Sequence, residues 1–169
     1  TVLERDSGEQ VAQLRGRWAP DIFATKLDAL ARLFGQHADA DNRTPVIVGV
    51  ERNKHGHAAL LKLRELHGAS GPYAIFRARD GRVGWLTSSA SRPVLIDQLE
   101  AALRTGELIL HDAGTADQFG TFAWSNDGRP EGQEGYSDDD VMTAGIAWHI
   151  RRRAFGRVLG VRPGQLVSA

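Results

Sequence analysis

The segment from Val46 to His57 constrains the fold of this chain more than any other. It begins with an apolar run, Val46 to Val50, rich in β-branched residues, and ends in Glu51 followed by a polar loop. Such a run, preceded by Pro45 and followed by an amphipathic helical pattern, is typical of a buried strand in an α/β sheet. Ligands collect at the carboxyl ends of such strands. Glu51 is therefore a candidate site residue, although a lone acidic residue there is also explained as the first solvated position after the strand.

Composition limits the kinds of function. The 169 residues suffice for one domain with a real core. Basic and acidic residues balance, 21 against 21, so any DNA contact must come from local patches. The absence of cysteine leaves oxygen and imidazole as the available metal ligands. No apolar segment approaches the ~20 residues that cross a bilayer, and we expect no membrane partner.

The rest of the chain predicts alternating strands and helices. Predicted hairpin turns lie at residues 5–8 and 79–81, and a further turn is predicted at 126–130. Predicted helices begin near Pro20, Gly56, Ser91 and Asp138, and residues 116–122 are either a weak helix or a turn. Ser91 is expected to cap its helix. Because the chain opens directly in strand residues, we expect the natural polypeptide to extend upstream.

Three consecutive aspartates, residues 138–140, follow a glycine-rich loop and begin the last predicted helix. Capping and the helix dipole explain acidic residues there without any ligand. An acidic strand end at Glu51 together with this acidic helix start also has the outline of a site for Mg²⁺ or Mn²⁺, which prefer carboxylate oxygens. Zinc ranks low, because His55, His57 and His67 lack a convincing ligand spacing.

Basic and polar residues lie near Glu51 and around the predicted hairpin at residues 79–81. They could contact phosphates or orient metal-bound water, and a solvated surface explains them equally well. The candidates for DNA contact are Lys54, His55, Arg77, Arg79 and Arg82, with Asn53 as possible support.

Four segments resemble, in order, motifs of the nuclease domain of the large terminase subunit of tailed bacteriophages. They are VIVGVERNKHGHAALLKL (46–63), GRVGWLTSSASRP (81–93), GELIL (106–110) and GYSDDDVMTAGIA (135–147). The resemblance covers most of the chain. It implies an α/β, RNase H-like fold, with a central mixed sheet flanked by helices on both faces and its first strand missing. The domain is expected over residues 1–155, followed by a C-terminal tail over 156–169.

The resemblance also implies roles for individual carboxylates. Glu51 matches the second catalytic carboxylate, and Asp139, with Asp138 as the alternative, matches the third; these residues would also bind the metal. Ser137 stands where the family usually has histidine and could support the site. The family's first catalytic aspartate lies on a strand before the opening hairpin. No residue here matches it, and Asp6 is not assigned that role.

The implied function is an endonuclease that cuts concatemeric viral DNA during genome packaging, by phosphodiester hydrolysis with two Mg²⁺ or Mn²⁺ ions. The implied partners are double-stranded DNA, an upstream ATPase domain of the same polypeptide, the portal and the small terminase subunit. The implied location is the cytoplasm of an infected or lysogenic bacterial host. The alternative is a catalytically incomplete module that docks DNA or assembles the motor. An upstream strand ending in aspartate would favour the nuclease.

Overall fold

A computed structural model describes residues 1–36, 46–69, 71–124, 130–133 and 135–158. The fold is mixed α/β, which confirms the predicted class. The helices are α1 (Pro20–Gln36), α2 (Lys54–His67), α3 (Ser91–Arg104), α4 (Ala113–Gly120) and α5 (Asp139–Val158). The strands are β1 (Val2–Leu3), β2 (Gln10–Ala12), β3 (Val46–Val48), β4 (Tyr73–Ile75), β5 (Phe122–Trp124) and β6 (Pro130–Gly132).

The chain divides into two compact units. The first comprises Thr1–Gln13 and Ser88–Ala169, and the second comprises Leu14–Thr87. No helix within the described ranges is both long and apolar enough to cross a membrane. The predicted turn at 126–130 lies almost wholly outside the described residues, as does most of the predicted tail.

Strand pairing is more fragmented than the single central sheet that we expected. The described residues form three two-stranded ladders: β1 with β2 and β5 with β6 are antiparallel, and β3 with β4 is parallel. The chain segment of β3 pairs first with β4 and then, at Glu51, with Trp85, because the chain after β4 turns into a hairpin. The Phe76 amide donates to the Val48 carbonyl at 2.8 Å, whereas the Trp85 amide donates to the Val50 carbonyl at 2.9 Å. Single bridges thus continue the pairing where regular ladders stop.

The second unit is built on a parallel β3-α2-β4 crossover covered by α1. The predicted helices there are confirmed. Helix α1 buries Ala24, Asp28 and Ala31 most completely, and its larger Phe23 and Leu27 are only partly buried. Small side chains let α1 approach α2 closely. The remaining buried apolar residues of this core are Val48, Val50, Ala59, Leu60, Leu63 and Tyr73.

Asp28 is a carboxylate inside this core, and it is held by two donors. The Tyr73 hydroxyl donates to it at 2.6 Å and Arg32 Nε donates at 2.8 Å. Burial alone would raise the pKa of Asp28, but the hydrogen bonds from Arg32 and Tyr73 outweigh burial and lower it. Burial and the neighbouring Asp28 raise the pKa of Tyr73. The ionised Asp28 therefore stabilises the packing of α1 on β4.

Asp28→Asn should destabilise the protein by about 1–3 kcal/mol near neutral pH, because the charged acceptor of both hydrogen bonds is lost. Because the pKa of Asp28 is lower in the folded protein than in the unfolded chain, its ionisation stabilises the fold at any pH above the unfolded pKa. That stabilisation is lost as the pH falls through the folded pKa, where the carboxylate becomes protonated in both states. The difference between wild type and variant in urea unfolding should therefore shrink between about pH 5 and about pH 2. An equal difference at both ends would contradict the role given to Asp28.

The first unit is organised around α5, whose Trp148 is fully buried. The predicted opening hairpin is confirmed: β1 and β2 flank a turn in which Gly8 has φ of 77°. Arg151 attaches this turn to α5, donating to the carbonyls of Arg5 at 2.6 Å and Asp6 at 2.8 Å while its guanidinium lies over Trp148. Arg151 and the two arginines after it, Arg152 and Arg153, lie inside α5, which continues to Val158.

The predicted cap of α3 is wrong in detail. Ser91 is the first residue of the helix, and the N-cap Ala90 makes no side-chain cap. Ser88 and Ser91 instead exchange hydrogen bonds, each hydroxyl accepting from the other's amide at 3.1 and 2.8 Å respectively. Several serines in this segment could cap the helix equally well by local sequence. In the structure Ser88 and Ser91 bond to each other across the turn at 88–91 instead.

Candidate functional site

Glu51 occupies the carboxyl end of the β3 segment, as the sequence predicted. It forms a parallel bridge with Trp85. On one side the Trp85 amide donates to the Val50 carbonyl, and on the other the Arg52 amide donates to the Trp85 carbonyl at 2.6 Å. These bonds fix the backbone on both sides of a half-buried carboxylate.

Asn53 links Glu51 to the start of α2. Its Oδ1 accepts from the Gly56 amide at 2.8 Å, which caps the helix, and its Nδ2 donates to Glu51 Oε2 at 3.2 Å. The turn is so tight that a Cβ at residue 56 would overlap the Glu51 carbonyl oxygen. Asn53 thus supports the carboxylate, and glycine at 56 permits this geometry.

The hairpin formed by residues 77–84, here called the basic hairpin, is joined to the same strand end. Arg52 Nη2 lies 2.6 Å from Asp80 Oδ2, and the other Asp80 oxygen accepts from the Arg82 amide at 3.0 Å. The hydrogen bond from Arg52, joined by that from Arg82, lowers the pKa of Asp80. The turn itself has Gly81 at φ 76°. Arg52, the residue that follows Glu51, therefore connects the hairpin to the strand end.

The predicted DNA-contact residues of this unit are on its surface. Arg77, Arg79 and Arg82 of the hairpin are exposed, and so is His55 in the first turn of α2. The side chain of Lys54 lies outside the described part of the structure. Exposure agrees with either a phosphate contact or a solvated surface, so these assignments stay predictions.

In the first unit, the three consecutive aspartates have three different environments. Asp138 forms an ion pair with Arg92 of α3, whose Nε also donates to the Pro130 carbonyl at 2.7 Å. Arg92 therefore joins the start of α5 to β6. The Asp138 carboxylate already has a cationic partner.

Asp139 is the exposed member of the three. Its carboxylate accepts from the Ser137 hydroxyl at 3.0 Å. Ser137, at the position where the resembling family usually has histidine, therefore contacts the carboxylate that we ranked first. A neutral donor orients Asp139 without neutralising its charge.

Asp140 is buried and was not predicted as a separate feature. It accepts from Gln13 Nε2 at 2.8 Å and from Gln118 Nε2 at 3.1 Å, while its own amide donates to Gln118 Oε1 at 2.8 Å. The network connects α5 to the opening hairpin and to α4. Asp140 therefore fixes the position from which Asp139 projects.

Asp140→Ala should lower the free energy of unfolding by about 2–3 kcal/mol, because two partly buried amides, of Gln13 and Gln118, lose their charged acceptor. Asp139→Ala should cost less than about 1 kcal/mol, since an exposed first-turn carboxylate contributes only through the dipole and local bonds. Urea unfolding of both variants under the same conditions measures the contrast. If both variants lose the same free energy of unfolding, Asp139 and Asp140 do not differ in the way that their burial indicates.

Two of the carboxylates have surroundings that suit binding of a hard cation. Glu51 and Asp139 are accessible, and each is oriented by a neutral donor, whereas the described Asp138 rotamer is bound to Arg92. Across the described ranges, no three or more acidic or histidine side chains come together as a ready metal site. Glu51 belongs to the second unit and the aspartates to the first. Their predicted proximity stays a prediction.

Arg52 and Arg92 are the residues that sequence reasoning missed. Arg52 pairs with a residue 28 positions away and Arg92 with one 46 positions away, so no local spacing identifies either contact. The only available signal was that Arg92 lies inside the segment GRVGWLTSSASRP, and Arg52 inside VIVGVERNKHGHAALLKL.

No protein-family model matches the chain, and no curated protein is significantly similar to it. A function for this chain must therefore be inferred from the four motifs and from the environments of the carboxylates.

Proposed function

We propose that this chain is the RNase H-like nuclease domain of a phage or prophage packaging terminase, a metal-dependent endonuclease acting on double-stranded DNA. The observation that carries the proposal is the position of Glu51. A carboxylate at the carboxyl end of a strand in a parallel β-α-β unit occupies the edge where α/β sheets bind ligands. Asn53 holds it in an orientation that leaves its charge available.

Glu51 and Asp139 are the proposed metal ligands of this chain. Bound Mg²⁺ or Mn²⁺ would activate water and stabilise the leaving oxygen of the phosphodiester. Asn53 and Ser137 orient the two carboxylates. Asp138 is secondary, because Arg92 competes with a metal for its oxygens.

Exposed basic side chains near Glu51 support the DNA-binding part of the proposal. The hairpin places Arg79 and Arg82 on a turn that Arg52 and Asp80 connect to the site. Contacts of this kind position the sugar-phosphate backbone without reading sequence. In this proposal the ATPase domain, the portal and the small terminase subunit are the protein partners, and the reaction takes place in the host cytoplasm.

Plasmid cleavage by the full-length polypeptide tests the proposal. Supercoiled DNA should be nicked or linearised with little sequence preference when Mn²⁺ or Mg²⁺ is added, and a chelator should stop the reaction. The alternative, a DNA-docking or assembly module, predicts that the polypeptide retards DNA in a gel without cutting it under either ion. That outcome would replace the nuclease assignment.

A further inference from the structure

An open groove of about 490 Å³ lies in the second unit, between α2 with its C-terminal turn and the hairpin that follows β4. Aliphatic side chains from both walls line it: Leu61 from α2, Ile75 from β4 and Val83 from the hairpin. Leu61 is 56 % exposed. A groove that keeps a leucine this accessible offers apolar area to a ligand.

The helix wall of the groove is the side of α2 that does not contribute to the core. Leu61 and Arg64, three positions apart, are both exposed and lie on one side of the helix, whereas Leu60 and Leu63 are buried. This side of α2 therefore presents one aliphatic side chain, Leu61, among polar ones. Folding of this unit does not cover it.

Positive charge dominates the rim. Arg64 and Arg77 both line the groove, and no described carboxylate pairs with either of them. Glu65 is the acidic member of the lining, and it is paired with Lys62 at 2.8 Å. An anionic ligand would therefore meet two guanidinium groups. Arg77 Nη1 donates to the Gly81 carbonyl at 3.2 Å, and its other N–H groups remain to bind a carboxylate.

The wall at the end of α2 is held in place. The two ring nitrogens of His67 lie 2.9 Å from the Gly68 carbonyl oxygen and 2.6 Å from that of Tyr73. The ring also packs edge-on against Tyr73. This wall is therefore formed before any ligand arrives, which lowers the ordering cost of binding.

We propose that this groove binds an acidic peptide segment of a partner protein, with an aliphatic side chain inserted between Leu61, Ile75 and Val83. Carboxylates on the peptide complement Arg64 and Arg77, and the inserted side chain buries the accessible apolar lining. Duplex DNA matches the charge of the groove but not its aliphatic lining, because a sugar-phosphate backbone would contact the arginines and leave the aliphatic groups uncovered. The inference does not depend on nuclease activity.

Methyl NMR of the folded chain, titrated with a short capped peptide of Leu, Asp and Glu, tests this assignment. The methyl signals of Leu61, Ile75 and Val83 should shift, and a peptide with every acidic residue replaced by lysine should leave them unmoved. Arg64→Glu or Arg77→Glu should each weaken binding by roughly tenfold or more. Leu61→Asp should abolish it.

Matched variants separate loss of the groove from loss of the fold. Arg104→Glu changes an exposed arginine of α3, and Leu33→Asp changes a leucine of α1 that is 52 % exposed; both should bind the acidic peptide with unchanged affinity. The proposal is overturned if the acidic peptide leaves the three methyl signals unmoved at millimolar concentration. It is also overturned if the lysine peptide binds equally well, or if duplex DNA shifts the same signals and displaces the acidic peptide.

Discussion

Glu51→Gln and Asp139→Asn should each reduce DNA cleavage by the full-length polypeptide on the order of 100-fold or more. Both substitutions retain the size and shape of the side chain and remove the negative charge that a hard cation requires. Asn53 and Ser137 can still donate to the remaining amide oxygen, so the local backbone should be unchanged. Initial rates of plasmid cleavage at saturating Mn²⁺ measure the effect.

Glu100→Gln is the matched control for this prediction. Glu100 is an exposed carboxylate of α3 that pairs with Arg104, and its neutralisation should leave the cleavage rate within about twofold of wild type, since it touches neither metal nor DNA in the proposed arrangement. Unfolding midpoints of all three variants should match wild type. Unchanged cleavage in both site variants would favour the docking module.

Gly56→Ala should destabilise the protein by roughly 4 kcal/mol or more and impair cleavage as well. Helix propensity alone favours alanine by about 1 kcal/mol, so a purely local argument predicts the opposite sign. The overlap of the new Cβ with the Glu51 carbonyl decides the outcome, because both groups are backbone-anchored and neither can rotate away. Relief requires the start of α2 to move from Glu51, which breaks the Asn53 cap.

Gly120→Ala is the corresponding control for the glycine argument. Gly120 ends α4, and a Cβ there would meet no atom within 4 Å. Its substitution should change the free energy of unfolding by less than about 1 kcal/mol. If Gly56→Ala is as mild as Gly120→Ala in urea unfolding, the close approach of Glu51 to α2 is not a feature of the folded protein.

Local patterns predicted the elements of the fold well where one residue type dictates the geometry. The β-branched run before Glu51 forms β3, and Asp80-Gly81 forms a hairpin turn. In each case the side chain or its absence acts on its own backbone. Such effects are visible in a single sequence.

Features that depend on distant partners were not predictable in this way. Asp140 is indistinguishable from Asp138 and Asp139 in sequence, yet it is buried because Gln13 and Gln118 reach it from other elements. The burial of Asp28 follows from the same kind of long-range contact, with Tyr73. Which member of an acidic run is structural and which is available for chemistry is decided by tertiary packing.

The point at which a strand changes its pairing partner also could not be predicted from the sequence. Periodicity predicts which residues are extended but not where a strand exchanges one partner for another, as the Glu51 segment does between β4 and Trp85. That exchange positions the basic hairpin beside the strand end. The candidate residues were predicted, whereas the contacts of Arg52 and Arg92 required the fold.

Paramagnetic broadening by Mn²⁺ tests most directly whether Glu51 and Asp139 share a metal site. It detects small bound fractions, which matters because Mg²⁺ and similar hard cations lose their water reluctantly and two carboxylates alone should bind them weakly. Trace Mn²⁺ should broaden the backbone amide signals of residues 49–53 and 137–141 together, excess Mg²⁺ should restore them, and Glu51→Gln should reduce both effects. Broadening of only one of the two segments, or broadening that Glu51→Gln leaves unchanged, would contradict the shared site.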